Sequence, residues 1–309
     1  MNEVLVSIGC ITYNHEKYIE DCLKGFLCQR TDFPFEILIH DDASTDGTAD
    51  IIRSYAKKYP DIIKPIYQTE NQYSKKVSIS AAFQYPRMKG KYYAICEGDD
   101  YWTDPFKLQT QIHAMEEHPE INICTHAAEV RQNGKKISMI APKDHSCIIP
   151  MEEVIVGGGA FIATNSIVIR SGILLEEYKF IKKLPMDYTT QLLGSIGKGM
   201  LYIDKCMSVY NFMNPGSWTS ITANDRQRKA DSHKKIAEML RVLNEETGYL
   251  YDSTIKKQTL YHEFEYHDYL RHYKLLKQEP YLERYKELPF LAKLRITGRS
   301  WLGERIAKE

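Results

Sequence analysis

The sequence lacks an excess of charge of either sign. Lys+Arg and Asp+Glu stand at 41 each among 309 residues. That balance withholds the basic footprint of general nucleic-acid binding, and no nucleic-acid partner is expected. Any apolar run near the ~20 residues needed to span a bilayer is also missing. The N-terminus enters Val4-Leu5-Val6-Ser7-Ile8 almost directly, without a basic stretch, an apolar core and a small-residue cleavage site. A cytoplasmic location is therefore expected. The cysteines, Cys10, Cys22, Cys28, Cys96, Cys124, Cys147 and Cys206, are odd in number and none is spaced C-x-x-C. Buried reduced thiols are expected, not a disulfide frame or a zinc site. Repeats and low-complexity tracts are absent as well.

What is present is an ordinary globular composition, 43% apolar, with a patterned first hundred residues. Val4 to Thr12 is a short β-branched run. Tyr18, Ile19, Cys22, Leu23, Phe26 and Leu27 then recur at helical spacing. Phe35 to Ile39 is again strand-like, and Ser44-Thr45-Asp46 supplies caps for a helix carrying Ile51, Ile52, Tyr55 and Ala56. Ile62 to Tyr67 is a weaker strand that Pro65 confines to an edge. A short helix is expected over Val77 to Gln84, a strand over Lys91 to Cys96, and a helix after Pro105 that stops before Pro119. Strand-like runs follow near 121–130, 161–169 and 200–210. From about Asp225 the chain is charged, tyrosine-rich and helical in pattern. Strand–helix alternation predicts an α/β fold with a mostly parallel sheet flanked by helices. A boundary near 222 separates residues 1–222 from a helical region, 223–309.

In such a sheet ligands collect at the carboxyl ends of the strands. Three polar clusters fall there: Thr12-Tyr13-Asn14, His40-Asp41-Asp42 and Glu97-Gly98-Asp99-Asp100. Three carboxylates in four residues repel one another unless a cation is near. Oxygen ligands with no His or Cys in the cluster suit a hard ion, Mn²⁺ or Mg²⁺, which bridges to substrate phosphates. The plain alternative is a solvated turn, the commoner fate of an isolated Asp-Asp. Position at a strand end and Gly98, which lets backbone approach a ligand closely, favour the site. Asp42 has two compatible readings: it ends a strand beside a helix cap, or it accepts hydrogen bonds from a base or ribose.

These pieces, in order, are specific. Val6-Ser7-Ile8-Gly9-Cys10-Ile11-Thr12-Tyr13-Asn14, Asp41 to Thr48, Glu70-Asn71-Gln72-Tyr73-Ser74 and Glu97 to Trp102 together resemble glycosyltransferase family 2, the inverting group with a GT-A (Rossmann-like) fold. Their order and spacing are similar to those of bacterial members that build surface polysaccharides. The resemblance covers roughly residues 1 to 220. It implies a nucleotide-sugar half, about 1–105, and an acceptor half, about 106–222. It also implies that Thr12, Tyr13 and Asn14 line the nucleotide pocket and that Asp42 contacts the base, commonly uracil. Glu97 and Asp99 would meet the donor, and Asp99 or Asp100 the metal. The family's general base precedes a helix, and Leu184-Pro185-Met186-Asp187-Tyr188 resembles that place. Asp187 is thus implied as the base; from spacing alone it would be an N-cap. Thr164 and Asn165 sit where relatives approach the acceptor. Asn211 and Met213 stand where relatives often carry Arg and His for the diphosphate. Lys75 or Lys76 would replace that charge, and Trp218 would stack on a sugar or anchor packing in equal measure.

The resemblance implies transfer from a nucleoside diphosphate sugar, most often UDP-linked, to a saccharide or lipid-linked acceptor. A nucleotidyltransferase is disfavoured because Thr12–Lys17 lacks the glycines of a triphosphate loop. A non-catalytic sugar-binding relative is disfavoured by retention of the carboxylates. The C-terminal segment 288–306 mixes apolar residues with Lys293, Arg295, Arg299 and Arg305. Such a segment lies on an anionic membrane or packs as a helix on the catalytic domain, the second being commoner. A homo-oligomer is left open.

Overall fold

The computed structural model describes residues 3–183, 187–214, 220 and 225–297. The chain forms two compact units: Met1–Glu177 with Met186–Asn214, and Tyr178–Pro185 with Pro215–Glu309.

The first unit opens as the sequence predicts. Strand β1 (Val6–Thr12) leads to helix α1 (Ile19–Leu27), β2 (Phe35–Asp41), α2 (Thr48–Lys58) and β3 (Ile63–Tyr67). Ile19, Cys22, Leu23 and Phe26 recur every three or four residues, so one face of α1 is buried against the sheet. β4 (Tyr92–Ile95), the short β5 (Tyr101–Trp102), α3 (Lys107–Glu117), β6 (Ile123–Gln132), β7 (Lys135–Ile140) and β8 (Cys147–Ile149) follow. Then come α4 (Met151–Gly157), β9 (Val168–Arg170), α5 (Ser171–Leu174), α7 (Asp187–Ser195) and β10 (Met200–Asn211), with α6 (Lys179–Lys183) falling in the second unit.

The strands form a sheet in the order β3-β2-β1-β4-β9-β6-β10-β5, with β7 on β6 and β8 on β10. β1, β2, β3 and β4 run parallel, as do β6 and β10, and the two longest ladders, β6–β10 and β1–β2, are both parallel. β9 is antiparallel to both β4 and β6. The expected mostly parallel α/β sheet is present, and β3 with its Pro65 lies at an edge. Two expectations change. The run 161–169 pairs only from Val168, and Thr164–Ser166 is a tight helical turn. The helix expected over 77–84 narrows to one wide π-type turn, Ser80–Gln84.

The core holds Val6, Ile8, Ile37, Ile39, Tyr92 and Ala94 from the strands with Phe26, Leu108 and Ile112 from the helices. Burying such side chains contributes about 1.5–3 kcal/mol each. Behind the carboxyl edge, Lys107 is wholly buried. Its ammonium sits 4.0 Å from the centre of the Trp102 ring and donates to Gln111 Oε1 at 2.7 Å. Burial pulls its pKa down to about 7. All seven cysteines are unpaired; Cys10, Cys22, Cys96 and Cys124 are buried, while Cys28 and Cys206 are exposed.

In the second unit, α8 (Arg226–Glu246) packs along α9 (Asp252–Tyr269). The Glu246 carboxylate accepts the backbone N–H groups of Lys179 and Phe180 at 2.8 and 3.0 Å, satisfying the open end of α6. Phe264, Tyr273, Leu276, Tyr281 and Ile296 make a separate core. The described part of the C-terminal segment packs there through Ile296 and through the Arg295–Asp268 ion pair, while Phe290, Leu291 and Leu294 are exposed. Trp301, Arg299 and Arg305 lie outside the described residues. Among the described residues no helix is long and apolar enough to cross a membrane.

Candidate active site

The carboxyl ends of β1, β2 and β4 bring the three polar clusters together. The loop after β1 is tied to the turn after β2. Asn14 takes a left-handed backbone (φ 56°), and its N–H donates to Ser44 Oγ at 2.9 Å. Its Oδ1 accepts the Thr45 N–H at 2.7 Å. Asn suits that backbone because its short side chain bonds locally. Asn14 thus fastens the two loops together. Thr12 is buried, and its Oγ1 has no hydrogen-bond partner. Tyr13 is 43% exposed beside it.

Asp42 is buried to 1% exposure. Its Oδ1 accepts the Gln72 N–H at 2.7 Å and its Oδ2 the Tyr73 N–H at 3.0 Å. The carboxylate expected at the base is thus bonded to backbone.

The acidic cluster separates into inward and outward groups. Asp100 is 1% exposed; its Oδ1 accepts the Asn211 N–H at 2.8 Å and its Oδ2 the Asn165 amide at 2.9 Å. Burial, then the nearby Asp99, push its pKa well above the carboxylate range, against those two hydrogen bonds. Each of its oxygens thus accepts one hydrogen bond from within the fold. Asp99 stays accessible at its edge. Its Oδ2 lies 3.2 Å from the Asn214 amide and 4.0 Å from His15 Nε2. Asn211 Nδ2 donates to the Asp99 carbonyl at 2.7 Å.

Glu97 is exposed to solvent. Burial raises its pKa well above the usual range, and the charges of Asp187 and Asp99 raise it further. Asp187 opens α7 in the same condition: solvent reaches the carboxyl, but the protein around it raises its pKa. The Thr164 hydroxyl donates to Asp187 Oδ2 at 2.8 Å and opposes that rise. Glu97, Asp99 and Asp187 therefore converge from two distant segments.

The remaining expected residues divide. Thr164 holds Asp187. Asn165 is a correction: it is fully buried, donates to Asp100 and to the Val209 carbonyl, and accepts from Ser208 Oγ at 2.7 Å. No polar group of its side chain is left to face an acceptor. Lys75 lies at the surface, where its ammonium pairs with Glu70. Trp218 lies outside the described residues.

His15 was missed by sequence reading. Its Nδ1 is buried without a partner, and its Nε2 faces Asp99. Burial lowers its pKa, while Asp99, Asp46 and Asp41 act against that. The available signal was its place directly after a strand-end cluster. Among the described residues no group of three His, Cys, Asp or Glu forms a metal cage. An ion held by one or two carboxylates and substrate phosphates needs none. Accessible Asp99, bordered by the unpartnered Thr12 Oγ1 and His15 Nδ1, fits that kind of site.

An uncharacterized protein of Mycobacterium tuberculosis is 35% identical over 225 residues, 72% of this chain and 63% of that protein. The chain thus spans under two thirds of that relative's length. Among solved structures, S. aureus TarS 1-349 in complex with UDP-GlcNAc superposes with a TM-score of 0.56 at 17% identity, covering 77% of this chain and 66% of that one. The mannosyltransferase PcManGT from Pyrobaculum calidifontis, in complex with GDP-Man and Mn²⁺, superposes with a TM-score of 0.53 at 14% identity, covering 97% and 81%. At such identities the likeness concerns the fold, which is GT-A. Residues 7–167 match the family described as Glycosyl transferase family 2; matched over more than half its length, the chain belongs to that family.

Proposed function

We propose that the protein transfers a sugar from a nucleoside diphosphate donor, UDP-linked, to a hydroxyl of a saccharide or lipid-linked saccharide, with inversion. The observation that carries this reading is the convergence of Asp187 with Glu97 and Asp99 at the carboxyl edge of the sheet. The UDP-GlcNAc bound by TarS and the GDP-Man bound by PcManGT support a nucleotide-sugar donor.

Asp187 accepts the proton of the acceptor hydroxyl, and the Thr164 hydroxyl keeps its carboxylate oriented. The acceptor oxygen forms a bond to the anomeric carbon from the face opposite the diphosphate. The bond from that carbon to the phosphate oxygen breaks, and its electron pair leaves with the nucleoside diphosphate. An α-linked donor gives a β-glycoside. The residue that would hold a divalent cation is Asp99, and Mn²⁺, as in PcManGT, or Mg²⁺ would neutralise charge on the diphosphate. His15 lies beside Asp99, where its Nε2 can donate to an anionic ligand.

The exposed Phe290, Leu291 and Leu294 support a peripheral contact with an anionic membrane, on the cytoplasmic side, that would bring the chain to a lipid-linked acceptor. Binding to anionic vesicles that survives truncation after Pro289 would remove that part.

The test is turnover of a sugar-nucleotide panel with Mn²⁺ and saccharide acceptors, followed by the anomeric configuration of the product. The expected product is inverted, and Asp187→Asn loses about 100- to 10,000-fold in kcat. A retained configuration, or full turnover by Asp187→Asn, overturns the reading.

A further inference from the structure

Lys107 and Gln111 stand one turn apart on α3, so their side chains share a face, and both are fully buried. Lys107 Nζ donates to Gln111 Oε1, which sets the direction of the amide: its oxygen faces the lysine and its N–H groups point onward. Gln111 Nε2 donates to the Ser166 carbonyl at 2.8 Å and to the Cys124 carbonyl at 3.3 Å. Nζ also lies on the Trp102 ring, which meets Phe26 edge-on, 4.8 Å between centres. The Trp102 Nε1–H donates to the Asn165 carbonyl at 2.8 Å. The consecutive carbonyls of Asn165 and Ser166 are therefore held by two side chains that meet at one lysine.

Those carbonyls belong to the turn Thr164–Ser166, whose first residue bonds Asp187. The turn is closed by the Ser166 N–H on the Ala163 carbonyl and the Ile167 N–H on the Thr164 carbonyl. The titratable groups around the Lys107 amine are the thiols of Cys96 and Cys124 and the imidazole of His126. Burial keeps both thiols protonated and the imidazole neutral, and among the described residues no carboxylate pairs with the amine. Burying an amine without a counter-ion disfavours folding, where an apolar side chain of similar length would not. What Lys107 contributes is direction, given to the Gln111 amide and to the Trp102 ring.

We infer that Lys107 is a positioning residue for Asp187, acting through Gln111 and Trp102 on the turn whose Thr164 hydroxyl orients the carboxylate. The inference rests on the reading of Asp187 as the base of sugar transfer. It gives a task to a buried amine that the transfer step itself does not use.

The experiment is the pH dependence of kcat/KM for sugar transfer by the wild type, Lys107→Met, Thr164→Val and the double variant, each melted to confirm that it is folded. Lys107→Met keeps a long side chain and removes the donor. Its acidic limb should move to higher pH, by no more than Thr164→Val moves it, which is up to about one unit. The double variant should move no further than Thr164→Val alone, because both changes act on the same bond. Lost stability by itself lowers the amount of folded enzyme and leaves the limb where it is. Trp102→Phe keeps a ring and removes the Nε1–H; its limb should move in the same direction, and it carries the test where Lys107→Met fails to fold. An unmoved limb in folded Lys107→Met, or in Trp102→Phe where that stands in, overturns the inference alone, as do shifts that add in the double variant. A limb unmoved by Thr164→Val, or a wild type that transfers no sugar, overturns the reading of Asp187 as the base and this inference with it.

Discussion

The Thr164 hydroxyl donates a 2.8 Å hydrogen bond to Oδ2 of Asp187. It joins the turn before β9 to the first residue of α7, and it favours the charged carboxylate while the surrounding protein disfavours it. A base works only when deprotonated, so in the proposed mechanism this bond would help to set the lowest pH of transfer.

Thr164→Val removes the donor and keeps the shape. The carboxylate pKa then rises further, because a bond to its charged form is lost. The acidic limb of kcat/KM against pH should move to higher pH by up to about one unit, with the plateau rate lowered only modestly. A pH–rate profile of the two proteins checks this. An acidic limb that stays in place would remove Asp187 from the role of base.

Asp99 and Asp100 are neighbours with opposite prospects. Asp100→Asn places an amide where an oxygen accepts either the Asn211 N–H or the Asn165 amide. One buried hydrogen bond is lost, at about 1–3 kcal/mol. The melting temperature should fall while the Mn²⁺ concentration for half-maximal activity stays the same. Asp99→Asn should do the reverse: a small change in melting and at least about a tenfold rise in the Mn²⁺ requirement, as expected when a carboxylate ligand is neutralised. Chelator should stop turnover, and added Mn²⁺ should restore it. The paired metal titrations and melts decide between the neighbours.

Much of this was legible in the sequence, and the reason for the remainder is directional. Val6–Thr12, Phe35–Asp41 and Tyr92–Ile95 announce themselves because a buried parallel strand is a continuous apolar run. Their ends place Thr12, Asp42 and Glu97–Asp100 on one edge. Which way each carboxylate turns depends on partners far along the chain. Asp100 faces inward because of Asn211, more than a hundred residues later, and Asp42 because of the loop after β3. The run 161–169 is apolar enough for a strand. Yet Asn165 is consumed by Asp100 and Val209, and Ser166 by Thr125 and the Ala163 carbonyl, so that stretch turns instead. No periodicity encodes such long-range polar contacts.

The helical unit carries its own pH dependence. His233 Nδ1 and His262 Nδ1 lie 2.9 Å apart between α8 and α9, so at least one ring nitrogen must be unprotonated there. Burial, and then the neighbouring His233, lower the pKa of His262 to about 3; burial lowers that of His233 too. The folded pKa lies below the unfolded value near 6.5, so the unfolded chain binds more protons between the two. Stability is then fully present above about pH 6.5 and is lost as pH falls towards 3, by on the order of a few kcal/mol. His262→Gln should flatten that slope in denaturant melts taken from pH 7.5 to 4. An unchanged slope would place the acid sensitivity elsewhere.

Gly98 offers the last test. From sequence it is a place for backbone to approach a ligand. In the structure the close neighbour is protein: a Cβ there would lie 2.6 Å from Thr12 Oγ1, 2.7 Å from Thr12 Cβ and 3.0 Å from His15 Nδ1. Thr12 ends a central strand and is buried, so it cannot swing aside into solvent. Gly98→Ala should therefore cost about 1–3 kcal/mol, the usual penalty for overpacking. It should also weaken donor binding, because Thr12 and His15 border Asp99. Thr12→Ala in the same chain removes the hydroxyl that the added methyl meets first and should recover part of the stability. Melting temperatures of the single and double variants read this directly. A Gly98→Ala protein as stable as the wild type would mean that the β1 end and the acidic turn are free to separate.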